Sequence, residues 1–193
     1  FGVRGIAFDV AAATGSQVEP LDAAPVAASI AATVPVELNA GASAPRFVGR
    51  VIEGVDASAP TPLWMAELLR RSGVRPLSLL VDVTQYVMLE LGQPMHAYDH
   101  DLLKGPIGVR QARAGESLVL LNGDEAKLDA QFLVITDADR VVGLAGIMGG
   151  NDTKVGDATR NVFLKYAPFA PAAIIGRCRK RGLCTDCGQR FER

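Results

Sequence analysis

Short apolar runs cut apart by turn residues dominate the second half of this chain. Residues 107–112, 117–121, 132–136 and 141–145 are rich in Val, Ile, Leu and Phe, which at this length reads as strands. Asn122-Gly123 follows the second run and stands before Lys127-Leu128. Such a pair tolerates the positive φ angles of a tight reversal, so it predicts a hairpin. Residues 137–139 punctuate the last two runs in the same way. The longest apolar stretches fall far short of the roughly 20 residues that span a bilayer, so no membrane segment is expected.

Helical segments interleave with strands elsewhere. Further strand-like runs lie at 34–38, 46–52 and 161–166, the second with alternating Phe47, Gly49 and Val51. Phe1, Ile6, Val10 and Ala13 recur at helical spacing over 1–14, and Gly15-Ser16 supplies a stop. Residues 61–72 predict an amphipathic helix with Pro62 in its first turn, a buried stripe of Leu63, Met65, Ala66, Leu68 and Leu69, and Gly73 as its end. Over 79–90 the apolar residues are too dense for strand and helix to be separated by period; length and Gly92 favour helix after Thr84. Residues 92–101 then read as a loop, and 170–181 as a last helix ended by Gly182. Residues 17–32 are rich in Ala, Pro and small polar groups, which suits a mobile linker with at most a short helix over 23–32. The pattern predicts a mixed α and β fold, with an upstream helix and linker at 1–33 and a compact unit at 34–193. At 193 residues and 49% hydrophobic content the chain can bury one substantial core, or two small lobes that share one.

Lys plus Arg number 20 against 21 Asp plus Glu, giving a net charge of −1, so any contact with nucleic acid has to be local. The chain starts at Phe1-Gly2-Val3-Arg4, without Met or a secretory signal pattern, and it ends abruptly at Arg193, as a stretch of a longer polypeptide does. Its three cysteines, Cys178, Cys184 and Cys187, are clustered and odd in number, which suits a reducing cytoplasm better than a disulfide framework. Cys184 and Cys187 have the spacing of a redox motif or of half a zinc site. A zinc site needs two more ligands, and only Cys178 is near, so reduced thiols without metal are expected.

Two loops gather chemistry-bearing residues. Residues 91–99 place a titratable His96 beside Pro94 and Asp99; residues 145–150 hold three glycines, whose backbone amides can approach an anion or a carbonyl oxygen closely. A satisfied structural histidine and a plain tight turn are the competing readings.

Four segments in order resemble the B3/B4 region of the beta subunit of bacterial phenylalanyl-tRNA synthetases. They are Val81-Asp82-Val83-Thr84-Gln85-Tyr86, Leu91-Gly92-Gln93-Pro94-Met95-His96-Ala97-Tyr98-Asp99, Leu144-Ala145-Gly146-Ile147-Met148-Gly149-Gly150 and Thr185-Asp186-Cys187-Gly188-Gln189-Arg190-Phe191-Glu192-Arg193. The resemblance implies a three-layer B3/B4-type domain with a central mixed β-sheet and flanking helices. It also implies an editing activity that hydrolyses the ester joining tyrosine to tRNA(Phe), within the enzyme that attaches phenylalanine to that tRNA. The implied partners are the synthetase alpha subunit, in a heterotetramer of two alpha and two beta chains, and tRNA(Phe). No cofactor is implied for this segment, ATP and Mg2+ serving the alpha subunit. By the same resemblance His96, Thr84 and Thr185 are the catalytic candidates. Arg75, Gln85, Ala145, Gly146, Gly149, Gly150, Lys165 and Cys187 are the substrate-binding ones.

Three of these positions depart from the family. Gln85 stands where Asn is usual, Lys165 where a Glu accepts the tyrosine hydroxyl, and Cys187 where a small Ala is usual. An ammonium donates hydrogen bonds and cannot accept one, so Lys165 puts tyrosine selection in question. The alternative reading is a structural or RNA-positioning domain of the same synthetase with a decayed site; Lys165 pointing to solvent would remove it from either account.

Overall fold

The computed structural model describes residues 2–138, 140–180, 182–183 and 185–192. Helix α1 (Val3–Thr14) ends at Gly15, whose left-handed φ of 68° closes it. No regular element follows until β1 (Val36–Leu38), so the short helix allowed over 23–32 is not formed. That stretch has no apolar stripe to bury, and Pro25 stands near its start. Then come β2 (Val48–Ile52), α2 (Leu63–Arg71) and α3 (Leu79–Leu91). The chain continues through β3 (Met95–Asp99), β4 (Ile107–Gln111), β5 (Ser117–Val119) and β6 (Glu125–Lys127). It closes with β7 (Leu133–Asp137), β8 (Arg140–Leu144), β9 (Met148–Gly149), β10 (Val162–Tyr166), α4 (Pro171–Ile174), α5 (Arg177–Lys180) and α6 (Asp186–Phe191).

The mixed sheet runs β1-β4-β7-β8-β9, mixed because β1 lies parallel to β4 while the other pairs are antiparallel. Its central strand β7 is buried along its whole length, so both faces are covered. The carboxylate of Asp137 at the end of β7 is fully buried, and it is matched by Arg140 at 2.7 Å and the Lys104 N–H at 2.9 Å. A second, antiparallel sheet runs β2-β10-β3, and β5 and β6 form a separate hairpin. That hairpin is the one Asn122-Gly123 predicts: the Leu120 N–H donates to Asp124 O, and Gly123 has a φ of 89°.

Several sequence expectations are corrected. In α2 only Met65 and Leu69 are buried, while Leu63 and Leu68 are exposed, because a helix of nine residues packs one narrow face on α3. Pro62 caps the helix from outside its first turn. Helix α3 begins at Leu79, five residues ahead of the expected Thr84. Its start is held by the buried Asp82 carboxylate, which accepts from the Leu77 N–H (2.8 Å) and the Thr61 hydroxyl (2.6 Å). Residues 95–99, read as loop, form strand β3 by pairing with β10. The helix expected over 170–181 is broken at Gly176, whose φ is 76°, and α6 follows as a further helix.

Candidate functional site

Strand β3 pairs with β10 so that His96 lies directly opposite Lys165. Opposed residues of an antiparallel pair stand on one face with Cβ atoms about 5 Å apart. Both side chains enter a cavity of about 790 Å³ walled by α3, β3, the β8–β9 turn, β10 and the start of α6. Of the expected site residues, Arg75, Thr84, Gln85, His96, Gly146, Gly149, Lys165, Thr185 and Cys187 line this cleft. Ala145 and Gly150 do not. The Ala145 N–H is spent on Leu133 O and the Gly150 N–H on Val142 O, and a side chain at Gly150 would run into that same Val142 carbonyl. Both therefore build the wall from behind.

The imidazole of His96 packs edge-on against Tyr98, two residues on along the same strand face, with ring centroids 4.4 Å apart and ring planes inclined at 69°. On its other side it abuts Gly149: a Cβ there would collide with the His96 ring, so glycine is what lets the turn close on the imidazole. The His96 Nε2 is buried and has no hydrogen-bond partner among the described residues. Burial, with the Lys165 charge as the lesser cause, depresses its pKa to about 3, so the ring is neutral at physiological pH.

Lys165 is only 8% exposed, which places it in the cleft and not on the solvent face of its strand. Burial lowers its pKa to about 8. Its ammonium lies 5.0 Å from the centre of the Phe169 ring, a cation–π contact, and forms no ion pair among the described residues. Cys187 is a free thiol beside it, pushed up to about 11 by burial against the opposing pull of the Lys165 charge. Cys178 is buried under α6, where a side chain at Gly188 would meet its sulfur. Cys184 lies outside the described residues.

The two threonines are held by backbone. The Thr84 hydroxyl donates to Val81 O at 2.7 Å, one turn back in α3. Thr185 caps α6: its hydroxyl accepts from the Gly188 N–H and donates to Ile147 O, both at 3.0 Å. This ties α6 to the glycine turn, a role sequence reasoning missed although Thr followed by Asp is a helix-start signal. Within the turn, the Ile147 N–H closes on Leu144 O and Gly146 takes a φ of 70°, while the Gly146 N–H has no acceptor among the described residues. Arg75 is exposed at the cleft and makes no hydrogen bond among the described residues. Tyr98 and Phe169, which shape the His96 and Lys165 sites, were not anticipated. The first is hidden by the loop reading of 92–101, and the second carries no signal in the sequence.

Comparison with known proteins gives a consistent assignment. The family model described as "B3/4 domain" matches residues 43–193. The whole chain is 68% identical to part of the "Phenylalanine--tRNA ligase beta subunit" of Xanthomonas campestris pv. campestris (strain 8004), and 64% identical to that of Xylella fastidiosa (strain Temecula1 / ATCC 700964). It spans about a quarter, 24%, of the length of these curated relatives. Among solved structures, an N-terminal fragment of the phenylalanyl-tRNA synthetase beta-subunit from Pyrococcus horikoshii superposes with a TM-score of 0.54 at 17% identity, covering 74% of this chain and 45% of that one. At that identity the likeness is one of fold.

Proposed function

This chain belongs to the B3/4 domain family, and on that premise we propose that it is the editing segment of a phenylalanine–tRNA ligase beta subunit, hydrolysing the ester of a mischarged tRNA(Phe). The observation that carries the reading is the meeting of residues 84–85, 96, 146–149, 165 and 185–187, far apart in sequence, around one cleft of about 790 Å³. That is room for an aminoacyl group and the ribose it is attached to.

An aminoacyl ester is already activated, so positioning of water and stabilisation of the developing oxyanion are the main requirements. Water adds to the ester carbonyl, and the bond to the ribose oxygen then breaks, releasing the amino acid and the tRNA hydroxyl. His96, neutral with a pKa near 3, is too weak a base to take a proton from water at neutral pH; its unpartnered Nε2 acts by hydrogen-bonding and positioning the bound aminoacyl group. The Gly146 N–H is a donor still available to an oxyanion, and Arg75 at the exposed side suits a phosphate of the tRNA end. The alpha subunit, tRNA(Phe) and a cytoplasmic setting belong to the same proposal, with ATP and Mg2+ serving aminoacylation on the alpha subunit.

The rival reading is a domain that positions RNA without catalysis. It draws on the commitment of both the Thr84 and Thr185 hydroxyls to backbone carbonyls, which leaves neither threonine as a ready proton carrier. Deacylation of tyrosyl-tRNA(Phe) by the intact synthetase that carries this segment separates the two. Hydrolysis above the uncatalysed rate, falling by about 10-fold or more in His96→Ala, is expected. Hydrolysis no faster than in buffer alone would establish the non-catalytic reading.

A further inference from the structure

Two polar groups in the cleft lack hydrogen-bond partners among the described residues, and they stand at opposed positions of β3 and β10. Lys165 is 8% exposed, lines the cleft, and has no carboxylate, carbonyl or hydroxyl accepting from its Nζ among the described residues. The Phe169 ring 5.0 Å away offers partial compensation for burying the charge. Directly opposite on β3, the His96 Nε2 is buried and equally without a partner. The cleft's two carboxylates, Asp157 and Asp186, are exposed, and neither forms an ion pair with Lys165. The protein thus presents a cation and an imidazole on one sheet face, and no anion among the described residues matches them.

We infer that the Lys165–His96 pair is a subsite for a carboxylate on the ligand, so that the cleft selects amino acids whose side chain carries an acidic group over those that carry a neutral hydroxyl. This rests on the proposed reading that the cleft receives an aminoacyl group. One carboxylate oxygen accepts from the Lys165 ammonium and the other from the His96 ring in its Nε2–H form. The geometry of two donors in one row across β3 and β10 suits a planar two-oxygen acceptor better than a single phenol oxygen. A phenol accepts from the Lys165 ammonium and can give its one proton to the His96 ring in its other tautomer or to the Cys187 thiol, a weak acceptor, but unlike a carboxylate it brings no negative charge to match the ammonium. The subsite therefore reverses the polarity of a pocket built on a glutamate.

The test is equilibrium binding of 4-carboxy-L-phenylalanine, its ring methyl ester, L-tyrosine and L-phenylalanine to the chain, followed by titration calorimetry. The ring carboxylate is expected to bind at least about 10-fold tighter than tyrosine, and its methyl ester to lose that advantage. Lys165→Met should abolish the preference and Lys165→Glu should turn it toward tyrosine, with thermal melting to check that each variant is folded. Equal binding of carboxylate and methyl ester by the unmodified chain overturns the inference without reference to any variant, as does a preference that survives in folded Lys165→Met. Tyrosyl-tRNA hydrolysis, measured in parallel, keeps the two readings apart. Hydrolysis without carboxylate preference removes the subsite and leaves the editing reading intact, whereas Lys165-dependent carboxylate binding with no hydrolysis of the tyrosyl ester supports the subsite and removes tyrosyl editing.

Discussion

His96 is held neutral by the fold, and this has consequences for stability as well as for chemistry. Its pKa falls from an ordinary 6.5 to about 3, so between those values the unfolded chain binds a proton that the folded chain does not. Stability from this group is complete above about pH 6.5 and is lost as pH falls toward 3. Urea unfolding at about pH 7 and pH 5 should show a loss on the order of 1 to 2 kcal/mol that His96→Gln abolishes. An identical acid loss in the variant would mean that other groups govern that limb. The contact between His96 and Gly149 makes a second prediction. A methyl at Gly149 meets the imidazole at overlapping distance, so Gly149→Ala must push the ring out of its place on β3. Expected are a destabilisation of about 1–3 kcal/mol and a fall in tyrosyl-tRNA hydrolysis comparable with that of His96→Ala. Full activity in the alanine variant would show that the position of the imidazole is immaterial.

At the scale of elements, α6 is fastened to the glycine turn through one hydroxyl. Thr185 accepts from the Gly188 N–H and donates to Ile147 O, so Thr185→Ala removes a cap and strips a carbonyl of its donor together. A loss of about 1–2 kcal/mol in chemical unfolding is expected, with Thr185→Ser restoring most of it. Failure of serine to rescue would shift the explanation from the hydrogen bonds to the lost methyl. The elements that the sequence reveals are those whose signals are local: α1 with its Gly15 stop, and the β5–β6 hairpin with its Asn-Gly turn. Elements decided by tertiary partners are hidden. Strand β3 carries Met, His, Ala, Tyr and Asp with no period, and it exists because β10 supplies its ladder. The early start of α3 depends on Asp82 gathering Thr61 and the Leu77 N–H, which no window of sequence around Leu79 displays. The site divides in the same way. The motifs that hold Thr84, His96, Gly146, Gly149 and Thr185 are legible in the sequence, and these residues line one cleft, while the commitment of Ala145 and Gly150 to the sheet follows from hydrogen bonds that only the fold assigns.

Across the whole molecule, the near balance of charge sets what this chain can do with RNA alone. With 20 basic and 21 acidic residues there is no excess of cations to cover a phosphate backbone. Many of the cations present are also engaged internally: Arg70 and Arg71 with Glu67, Arg110 with Glu116, Arg140 with Asp137, and Lys180 with Asp129. The cleft is different, since it carries Arg75, Lys154 and Lys165 against Asp157 and Asp186, a small local surplus. A contact restricted to that region displaces counterions from about two or three phosphates, and each single-stranded phosphate contributes about −0.7 to the slope of log K against log salt. The isolated chain should therefore bind tRNA more weakly than about 1 µM at physiological salt, with a slope between about −1 and −2, as read by fluorescence anisotropy between about 50 and 200 mM salt. Arg75→Ala should make the slope shallower by about one phosphate's worth, because Arg75 is the exposed cation at the cleft without an internal hydrogen bond among the described residues. Sub-micromolar binding with a slope steeper than about −4 would mean that a broad basic surface engages the tRNA, and the cleft could then no longer be treated as the place where this chain meets RNA.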